Sequence, residues 1–420
     1  MKHFLLTYIF VFLSFFSISS QTTKKVLFIG NSYTAANNLP SMVNNMAQST
    51  TDVLIFESNT PGGFRFINHA SNTTTLNKIN SNDWDYVVLQ AQSQETSFGQ
   101  LQMETELHPF AESLSQTIRA NNECSQPMFY MTWGRENGDA SNCGSLPWVC
   151  NYEDMDDVIR ATYLFMAETN DAEVAPAGAV WRYLRTNHPS INLYSGDGSH
   201  PSLAGSYAAA TVFYTMIYKK DPTLITWNSS LSQTDANIIK MAAKTIVFDD
   251  MSTWDFTINP ALADYSEVIN AGDVSFTNTS AGFDTLLWDF GDGNTSTEIN
   301  PVHTYADTGN YLVSLTVTKC GKWDTKTKTL NISNLSIEEF DLNGITVFPN
   351  PIYNRLNIKL NRNYKDLSIE VFDIMGKSII KRNAQNVESL NLDVTVLGRG
   401  MYILRIIADT HYYASKVIKN

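Results

Sequence analysis

The chain has 420 residues, of which 43% are hydrophobic and 17% are charged. This length predicts two to four domains of roughly 100–200 residues each, and the apolar content excludes an intrinsically disordered chain. The formal net charge of −13 argues against a nucleic-acid-binding protein, because phosphate recognition needs a surplus of lysine and arginine. Residues 345–420 carry a net charge of +5 and the rest carries −18, which predicts a domain boundary near residue 345.

The first 20 residues have the pattern of a secretory signal peptide. Lys2 and His3 precede an apolar run over residues 4–16, and small residues follow at 17, 19 and 20. This run is shorter than the ~20 apolar residues that cross a bilayer comfortably. We therefore predict a secreted or cell-surface protein with no transmembrane helix after signal cleavage. An uncleaved membrane anchor is the alternative.

Residues 21–254 alternate short apolar runs with segments of helical length. Continuous apolar strands are typical of a parallel sheet that helices cover on both faces. This alternation predicts an α/β fold. The predicted strands are Lys25–Ile29, Val53–Phe56, Tyr86–Leu89 and Met128–Met131, and the predicted helices are Leu39–Thr50, Glu104–Ala120, Met155–Glu168 and Leu203–Tyr218.

Two short stretches at opposite ends of this domain carry catalytic residue types. Ser32 follows the first predicted strand directly, and open α/β sheets bind ligands at the carboxyl ends of their strands. A serine hydroxyl is weakly nucleophilic unless a base activates it. His200 is a candidate base, and Asp197 lies one turn earlier, where it can orient the imidazole. Taken alone, each stretch is equally consistent with an ordinary turn before a helix.

The two stretches together resemble the SGNH (GDSL-like) hydrolases. The resemblance covers about residues 24–220 and rests on Gly30-Asn31-Ser32 in the place of Gly-Asp-Ser, and on Asp197 to Pro201 in the place of Asp-x-x-His-Pro. It implies a three-layer sandwich with a parallel sheet. It also implies an esterase in which Ser32, His200 and Asp197 form the catalytic triad, with no cofactor and no metal.

The same resemblance implies an oxyanion hole made of three groups. The first is the backbone N–H of Ser32. The second is a glycine N–H after the second strand, for which we choose Gly63 over Gly62, since a glycine lets the backbone approach a substrate closely. The third is an asparagine after the strand that ends at Leu89. This chain has three glutamines there, and we choose Gln92.

Two departures from the family pattern stand out. Asn31 replaces the usual aspartate, and a glutamine replaces the usual oxyanion-hole asparagine. These departures suggest a divergent branch of the family. They make the prediction of a substrate less secure than the prediction of the catalytic triad. His69, His108 and His188 lack a comparable carboxylate neighbour and are interpreted as surface or packing residues. Trp133, Trp148 and Trp181 fit either a sugar site or core packing.

After residue 254 the chain consists of short β-prone runs separated by polar turns, which predicts two all-β sandwich modules. Trp288-Asp289-Phe290-Gly291-Asp292-Gly293 and Gly309–Val317 resemble a PKD domain. This resemblance covers residues 255–333 and implies an Ig-type β-sandwich with Trp288 and Tyr311 in its core. It implies a spacer or contact module and not a catalytic one.

A polar linker over residues 334–344 leads to a second β module at residues 345–420. Three motifs in order resemble a Bacteroidetes type IX secretion C-terminal sorting domain: Val347-Phe348-Pro349-Asn350-Pro351, Val371 to Lys377 and Leu397 to Leu404. The resemblance implies that the secretion machinery reads this module as an address. Another small adhesive sandwich is the alternative.

These patterns predict a secreted serine esterase that hydrolyses ester bonds. The expected substrates are O-acetyl groups on extracellular polysaccharide, a choice that rests on analogy with multi-modular glycan-degrading enzymes. A surface adhesion or glycan-binding protein with a degenerate hydrolase domain is the alternative. Disulfides are permitted in an exported protein. Cys143 and Cys150 are spaced to close a small loop, whereas Cys124 and Cys320 are interpreted as buried thiols.

Overall fold

The computed structural model describes residues 21–270, 272–333, 345–409 and 411–420. The predicted signal peptide (1–20) and linker (334–344) lie outside the described residues. The chain forms two compact units that divide between Asn259 and Pro260. The boundaries predicted for the three modules remain a prediction. None of the helices that the structure describes combines the length and the hydropathy that crossing a bilayer requires.

The first unit is built on a five-stranded sheet whose strands are all parallel. Its strands are β1 Thr23–Ile29, β2 Val53–Asn59, β3 Tyr86–Leu89, β4 Gln126–Tyr130 and β5 Glu173–Ala175. The strand order is β2-β1-β3-β4-β5, so the order reverses between β1 and β3. A sheet of this order leaves a crevice at the carboxyl ends of β1 and β3, which is where such folds bind ligands.

Ten helices of the first unit fall within the described residues. They are α1 Ser32–Ala35, α2 Leu39–Ser49, α3 Phe66–Ser71, α4 Thr73–Ile79, α5 Gln100–Glu106, α6 His108–Asn121, α7 Tyr152–Thr169, α8 Ala177–Asn187, α9 Leu203–Tyr218 and α10 Gln233–Ile246. Helices α2, α8, α9 and α10 pack with one another, and α3 to α7 form a second group. The predicted three-layer α/β sandwich is therefore confirmed.

Burial explains the composition of the central elements. Residues Val26–Ile29 of β1 are inaccessible to solvent, as expected of a strand covered on both faces. Helix α9 is buried from Gly205 to its end at Tyr218, because α2 and α8 pack against it and α10 covers it further. This buried helix begins three residues after His200, so a rigid element anchors the turn that carries the histidine.

The predicted helix Glu104–Ala120 is wrong in one respect. Two helices, α5 and α6, replace it, and the break lies at Leu107. Pro109 stands in the first turn of α6. A proline has no backbone N–H and clashes with the preceding turn, so it is tolerated at the start of a helix and not in its interior.

The second unit contains two groups of strands, each with its own core. The first group is β6 Tyr265–Asn270, β7 Asp273–Asn278, β8 Thr285–Asp289, β9 Thr295–Ser296, β10 Val302–Thr304, β11 Gly309–Lys319 and β12 Lys322–Ile332. They form antiparallel sheets of order β10-β7-β6 and β12-β11-β8-β9. Trp288 is fully buried between them and Tyr311 packs at the edge of the core. An all-β sandwich is confirmed here.

The second group comprises β13 Thr346–Phe348, β14 Arg355–Tyr364, β15 Leu367–Phe372, β16 Ser378–Ala384, β17 Val387–Asp393, β18 Gly400–Ala408 and β19 His411–Lys419. These strands form antiparallel sheets of order β13-β14-β17 and β16-β15-β18-β19. Leu356, Ile369 and Leu404 contribute to the core of this group. This arrangement confirms the second predicted all-β module.

Candidate active site

Ser32 lies at the carboxyl end of β1, in a turn so tight that a glycine must precede it. A Cβ atom on Gly30 would lie 2.5 Å from Thr34 Oγ1 and 2.7 Å from Gln90 Oε1. Asn31 caps α1, since its Oδ1 accepts a hydrogen bond from the N–H of Tyr33 at 3.1 Å. The Nδ2 of Asn31 donates to the carbonyl of Phe64 at 3.0 Å. A carboxylate could not donate this second bond, which explains how an asparagine serves at this position.

His200 and Asp197 lie on a turn that precedes α9. One oxygen of Asp197, Oδ1, accepts hydrogen bonds from Ser195 Oγ at 2.7 Å, from the N–H of Ser199 at 3.0 Å and from the N–H of His200 at 2.9 Å. The other oxygen, Oδ2, lies 2.5 Å from His200 Nδ1. The backbone adopts a positive φ of 63° at Gly198, which favours glycine. The carboxylate therefore both orders the turn and faces the imidazole.

The turn brings His200 to the serine. His200 Nε2 lies 2.8 Å from Ser32 Oγ, across 168 residues of sequence. A proton on Nδ1, facing Asp197, leaves Nε2 free to accept from the serine hydroxyl. The side chains of His200 and Asp197 are 40% and 49% exposed, so solvent can reach the pair. The structure thus brings together all three residues of the predicted triad.

Electrostatics keep Asp197 ionised. Partial desolvation raises the pKa of its carboxyl, but the hydrogen bonds from His200, Ser195 and two backbone N–H groups outweigh this effect. They hold the pKa of Asp197 well below its usual range. An ionised carboxylate at Nδ1 stabilises the imidazolium that forms when the histidine takes a proton.

Buried aromatic side chains pack against the turn that carries His200. Trp133 stacks on Tyr33 at 5.2 Å and on Trp181 at 3.5 Å between ring centroids. The indole N–H of Trp133 donates to the carbonyl of Ser199 at 3.1 Å, and the hydroxyls of Tyr33 and Ser199 lie 2.6 Å apart. Trp133 and Trp181 are completely buried. They therefore pack beneath the histidine turn and do not line a sugar site.

The three oxyanion-hole candidates lie on loops at this end of the sheet. Among the residues that the structure describes, the N–H of Ser32 has no acceptor, and the same holds for the N–H of Gly63. Gly63 is exposed with a φ of 73°. The bond from Asn31 to Phe64 holds the Gly63 loop beside the serine turn. Both N–H groups therefore remain available to a ligand.

The three glutamines after β3 take different roles. Gln92 is half-buried, and its amide bonds within its own loop: Oε1 accepts from the N–H of Gln94 at 2.8 Å, and Nε2 lies 3.2 Å from Ser93 Oγ. Gln94 donates to Asp139 at 2.5 Å. Gln90 is completely buried, and its Oε1 accepts from the N–H of Asn31 at 3.0 Å. Sequence reasoning did not assign Gln90 this contact, since three nearby glutamines look alike in a sequence.

Glu95 links the Gly63 loop to the Gln92 loop. Its carboxylate is fully buried and accepts hydrogen bonds from Arg65 Nε and from the N–H of Gln92, both at 3.1 Å. Burial raises the pKa of Glu95, and the charge of Arg65 and the hydrogen bonds oppose this rise. No motif predicted this residue, because its charged partner Arg65 lies on a different loop, 30 residues earlier in the chain.

We expect Glu95→Ala to lower the free energy of unfolding by about 1–3 kcal/mol, because the substitution removes a buried acceptor from the N–H of Gln92 and leaves Arg65 with Glu106 as its remaining carboxylate partner. Glu106 is the matched control. It binds the same guanidinium at 2.9 Å but is 40% exposed, so Glu106→Ala should cost clearly less than Glu95→Ala. Urea midpoints of both variants measure the difference. Equal losses would contradict the role of Glu95 as the buried link.

His69 is a second residue whose contact with the serine turn was not predicted from the sequence. It is fully buried, with Nε2 at 2.9 Å from the carbonyl of Gly30 and Nδ1 at 2.9 Å from Thr75 Oγ1. Burial lowers the pKa of His69 to about 4, although the bond to Gly30 opposes the shift. The expectation that His69 is a packing residue is thus incomplete, since the side chain also bonds the turn that carries Ser32.

Protonation of His69 should make the protein less stable in acid. In the unfolded state His69 has a pKa of ~6.5, whereas burial lowers the pKa of His69 to about 4 in the folded state. Between these two pH values the unfolded state binds the proton and the folded state does not. Stability therefore falls as the pH is lowered between these values, by up to about 3 kcal/mol. Urea midpoints measured between pH 7 and pH 4 test this, with His69→Gln expected to flatten the dependence. His188→Gln, at a partly exposed position, should retain the wild-type slope.

Cys143 and Cys150 form a disulfide, as predicted, in the loop that follows β4. Among the described residues no cysteine is a free thiol, so the expectation of thiols at Cys124 and Cys320 is wrong. Within residues 21–259, no three histidine, cysteine or carboxylate side chains converge closely enough to hold a metal ion.

Comparisons with known proteins identify the two β modules. The PKD domain family matches residues 260–333, and the secretion system C-terminal sorting domain family matches residues 346–420. Both identifications made from the sequence are thereby confirmed. Collagenase ColQ1 of Bacillus cereus (strain Q1) is 47% identical over 61 residues, which are 14% of this chain and 6% of that protein. The chain thus spans only a small part of this curated relative.

Solved structures are similar to about half of the chain. A DUF4886 family protein from Bacteroides uniformis ATCC 8492 is 17% identical, with a TM-score of 0.46. That match covers 53% of this chain and 94% of the other. A protein from Slackia heliotrinireducens, described provisionally as an SGNH hydrolase, is 28% identical, with a TM-score of 0.38. Here the match covers 46% of this chain and 97% of the other.

Proposed function

We propose that residues 21–254 form a serine hydrolase that cleaves ester bonds. The observation that carries the proposal is the unbroken line of hydrogen bonds from Ser32 Oγ through the imidazole of His200 to Asp197, at 2.8 and 2.5 Å. A serine, a histidine and a carboxylate in this order and at these distances form the arrangement that activates serine for acyl transfer.

Acylation begins when Ser32 Oγ attacks the carbonyl carbon of the ester. His200 Nε2 takes the hydroxyl proton, and Asp197 stabilises the resulting imidazolium. The tetrahedral intermediate carries a negative charge on the former carbonyl oxygen. The N–H groups of Ser32 and Gly63 and the amide of Gln92 donate hydrogen bonds to this oxygen and stabilise its charge. His200 then protonates the departing alcohol, and the acyl group remains on the serine.

Water completes the cycle. His200 takes a proton from a water molecule, which attacks the acyl-enzyme through a second tetrahedral intermediate in the same oxyanion hole. Collapse of this intermediate returns the proton to Ser32 and releases the carboxylic acid. Because His200 and Asp197 are partly exposed, water reaches the imidazole without rearrangement of a buried site. None of these steps requires a cofactor.

We place the substrate outside the cell. The sorting-domain match at residues 346–420 supports export by the type IX machinery, and the PKD match supports a modular extracellular protein. An O-acetyl ester on a polysaccharide satisfies the chemistry of the site and suits this location. The partial exposure of His200 and Asp197 is consistent with a substrate that is part of a large polymer.

One observation favours the second candidate, a glycan-binding protein whose hydrolase domain is inactive. The amide of Gln92 bonds within its own loop, so it must turn to serve as an oxyanion donor. The N–H groups of Ser32 and Gly63 are free of acceptors within the described residues, which leaves two donors available without that turn. We therefore favour the hydrolase.

The full chain should release p-nitrophenolate from p-nitrophenyl acetate with saturation kinetics. A series of longer acyl esters separates an acetyl esterase from a lipase or thioesterase: we expect acetate to be the best substrate and octanoate the poorest. Release of acetate from acetylated xylan, with deacetylated xylan as the control, then tests the polysaccharide. Binding to the polysaccharide without any ester turnover would contradict the proposal and support the glycan-binding alternative.

A further inference from the structure

The peptide group between Gly30 and Asn31 lies immediately before Ser32, and buried side chains form hydrogen bonds with both its carbonyl and its N–H. Its carbonyl accepts a hydrogen bond from His69 Nε2 at 2.9 Å. Its N–H donates to Gln90 Oε1 at 3.0 Å. Both side chains are fully buried, and they come from different elements, α3 and the end of β3. Neither residue has a part in the proton transfers described above.

The tautomer of His69 follows from its partners. A backbone carbonyl can only accept, so Nε2 must carry the proton that binds Gly30. In the neutral imidazole Nδ1 is then an acceptor, which receives the hydroxyl proton of Thr75 at 2.9 Å. Asn59 Nδ2 donates to the same hydroxyl oxygen at 2.7 Å. The ring is therefore fixed in one tautomer and one orientation.

Gln90 is held as firmly on the other side of the peptide. Its Oε1 also accepts from Thr34 Oγ1 at 2.9 Å, and its Nε2 donates to the carbonyl of Ala91. The space is full, since even a Cβ atom on Gly30 would lie 2.7 Å from this oxygen. The glutamine thus has no other rotamer open to it without losing these bonds.

We propose that His69 and Gln90 are positioning residues that fix the Gly30–Asn31 peptide plane, so that the hydroxyl and the N–H of Ser32 both face the reacting carbonyl. The next carbonyl, that of Asn31, accepts from the N–H of Ala35 at 2.9 Å. With both peptide planes fixed, the N–H of Ser32 is left without an acceptor in the described part of the chain. The inference rests on the proposed role of Ser32 as nucleophile.

Two substitutions at His69 separate positioning from mere packing. His69→Gln places an amide N–H near the position of Nε2 and can restore the bond to Gly30. His69→Asn is shorter and cannot reach that carbonyl. Both remove the imidazole and its contact with the ring of Phe64. We expect His69→Asn to lower kcat by about 10- to 100-fold with KM nearly unchanged, because small misplacements of reacting groups are costly. His69→Gln should stay within about 3-fold of wild type.

Amide hydrogen exchange of the full chain gives a readout that does not depend on turnover. The peptide covering residues 29–33 should exchange faster in His69→Asn than in wild type or His69→Gln. The pair His188→Asn and His188→Gln is the matched control and should change neither kcat nor this exchange. Equal kcat and equal exchange in the two His69 variants would overturn the proposal.

If wild type shows no Ser32-dependent turnover, the proposed function fails, and the exchange difference alone decides whether the two side chains hold the peptide. If the His69 variants do not fold, Gln90→Asn replaces them, since its shorter arm withdraws the acceptor from the N–H of Asn31. A kcat loss of about 10-fold or more supports positioning, and a kcat within about 3-fold of wild type overturns it.

Discussion

Ser32→Ala is expected to lower kcat for p-nitrophenyl acetate by about 10⁴-fold or more, because the variant loses the atom that attacks the ester. His200→Ala should cost about as much, since the hydroxyl is inert without its base. The double variant should be no slower than either single one, because residues that act as a unit give non-additive losses. KM should change little in each case.

Matched controls separate this loss from damage to the fold. Ser71→Ala removes an exposed serine on α3, and His188→Ala removes a partly exposed histidine after α8. Both should retain wild-type kcat. Circular dichroism should give the same spectrum for all variants. Turnover by Ser32→Ala equal to that of wild type would reject the catalytic assignment.

Asp197→Asn is expected to lower kcat by about 10²- to 10⁴-fold while leaving the positions of the backbone unchanged. An amide cannot stabilise the imidazolium, and it can present an N–H to His200 Nδ1, which favours the wrong tautomer. The carboxylate accepts from both the side chain and the backbone of His200. Part of the loss therefore reflects orientation and part reflects charge. Steady-state kinetics of the variant, with Asp154→Asn on the exposed start of α7 as control, measure the effect.

The same substitution should change the response to acid. The pKa of Asp197 is held below its ordinary value of ~3.9 in the folded state. Its contribution to stability is therefore complete above that value and is lost as the pH falls through the lower folded pKa. Asp197→Asn should flatten the dependence of the urea midpoint on pH below ~4. The effect should be small, because the side chain is about half exposed.

The triad could be predicted from sequence because its information is local. Ser32 follows an apolar strand, and Asp197 and His200 share one turn, so each block is visible within a few residues. The buried supports of the site could not be predicted in this way. His69 reaches Gly30 across 39 residues, and Gln90 reaches Asn31 across 59. Only the sheet order, with β2 and β3 on either side of β1, brings these side chains to the serine turn.

The limits of the fold prediction have similar causes. Long apolar elements such as β1 and α9 were predicted within a few residues, because burial on all sides leaves a strong pattern. Strand β5 has only three residues, so it gave no recognisable signal. Helix α8 does have an apolar face, with Trp181 and Leu184 buried, and the sequence analysis did not identify it. The break between α5 and α6 was foreseeable from Pro109, a residue that disfavours the interior of a helix.

The central claim is that Ser32 is the nucleophile, and covalent labelling tests it most directly. Incubation of the full chain with an organofluorophosphonate, followed by intact mass measurement and peptide mapping, should show a single adduct on Ser32. The adduct should be absent from Ser32→Ala and should form far more slowly in His200→Ala. A protein that hydrolyses esters while its Ser32 stays unmodified, or that carries the adduct on another residue, would contradict the account.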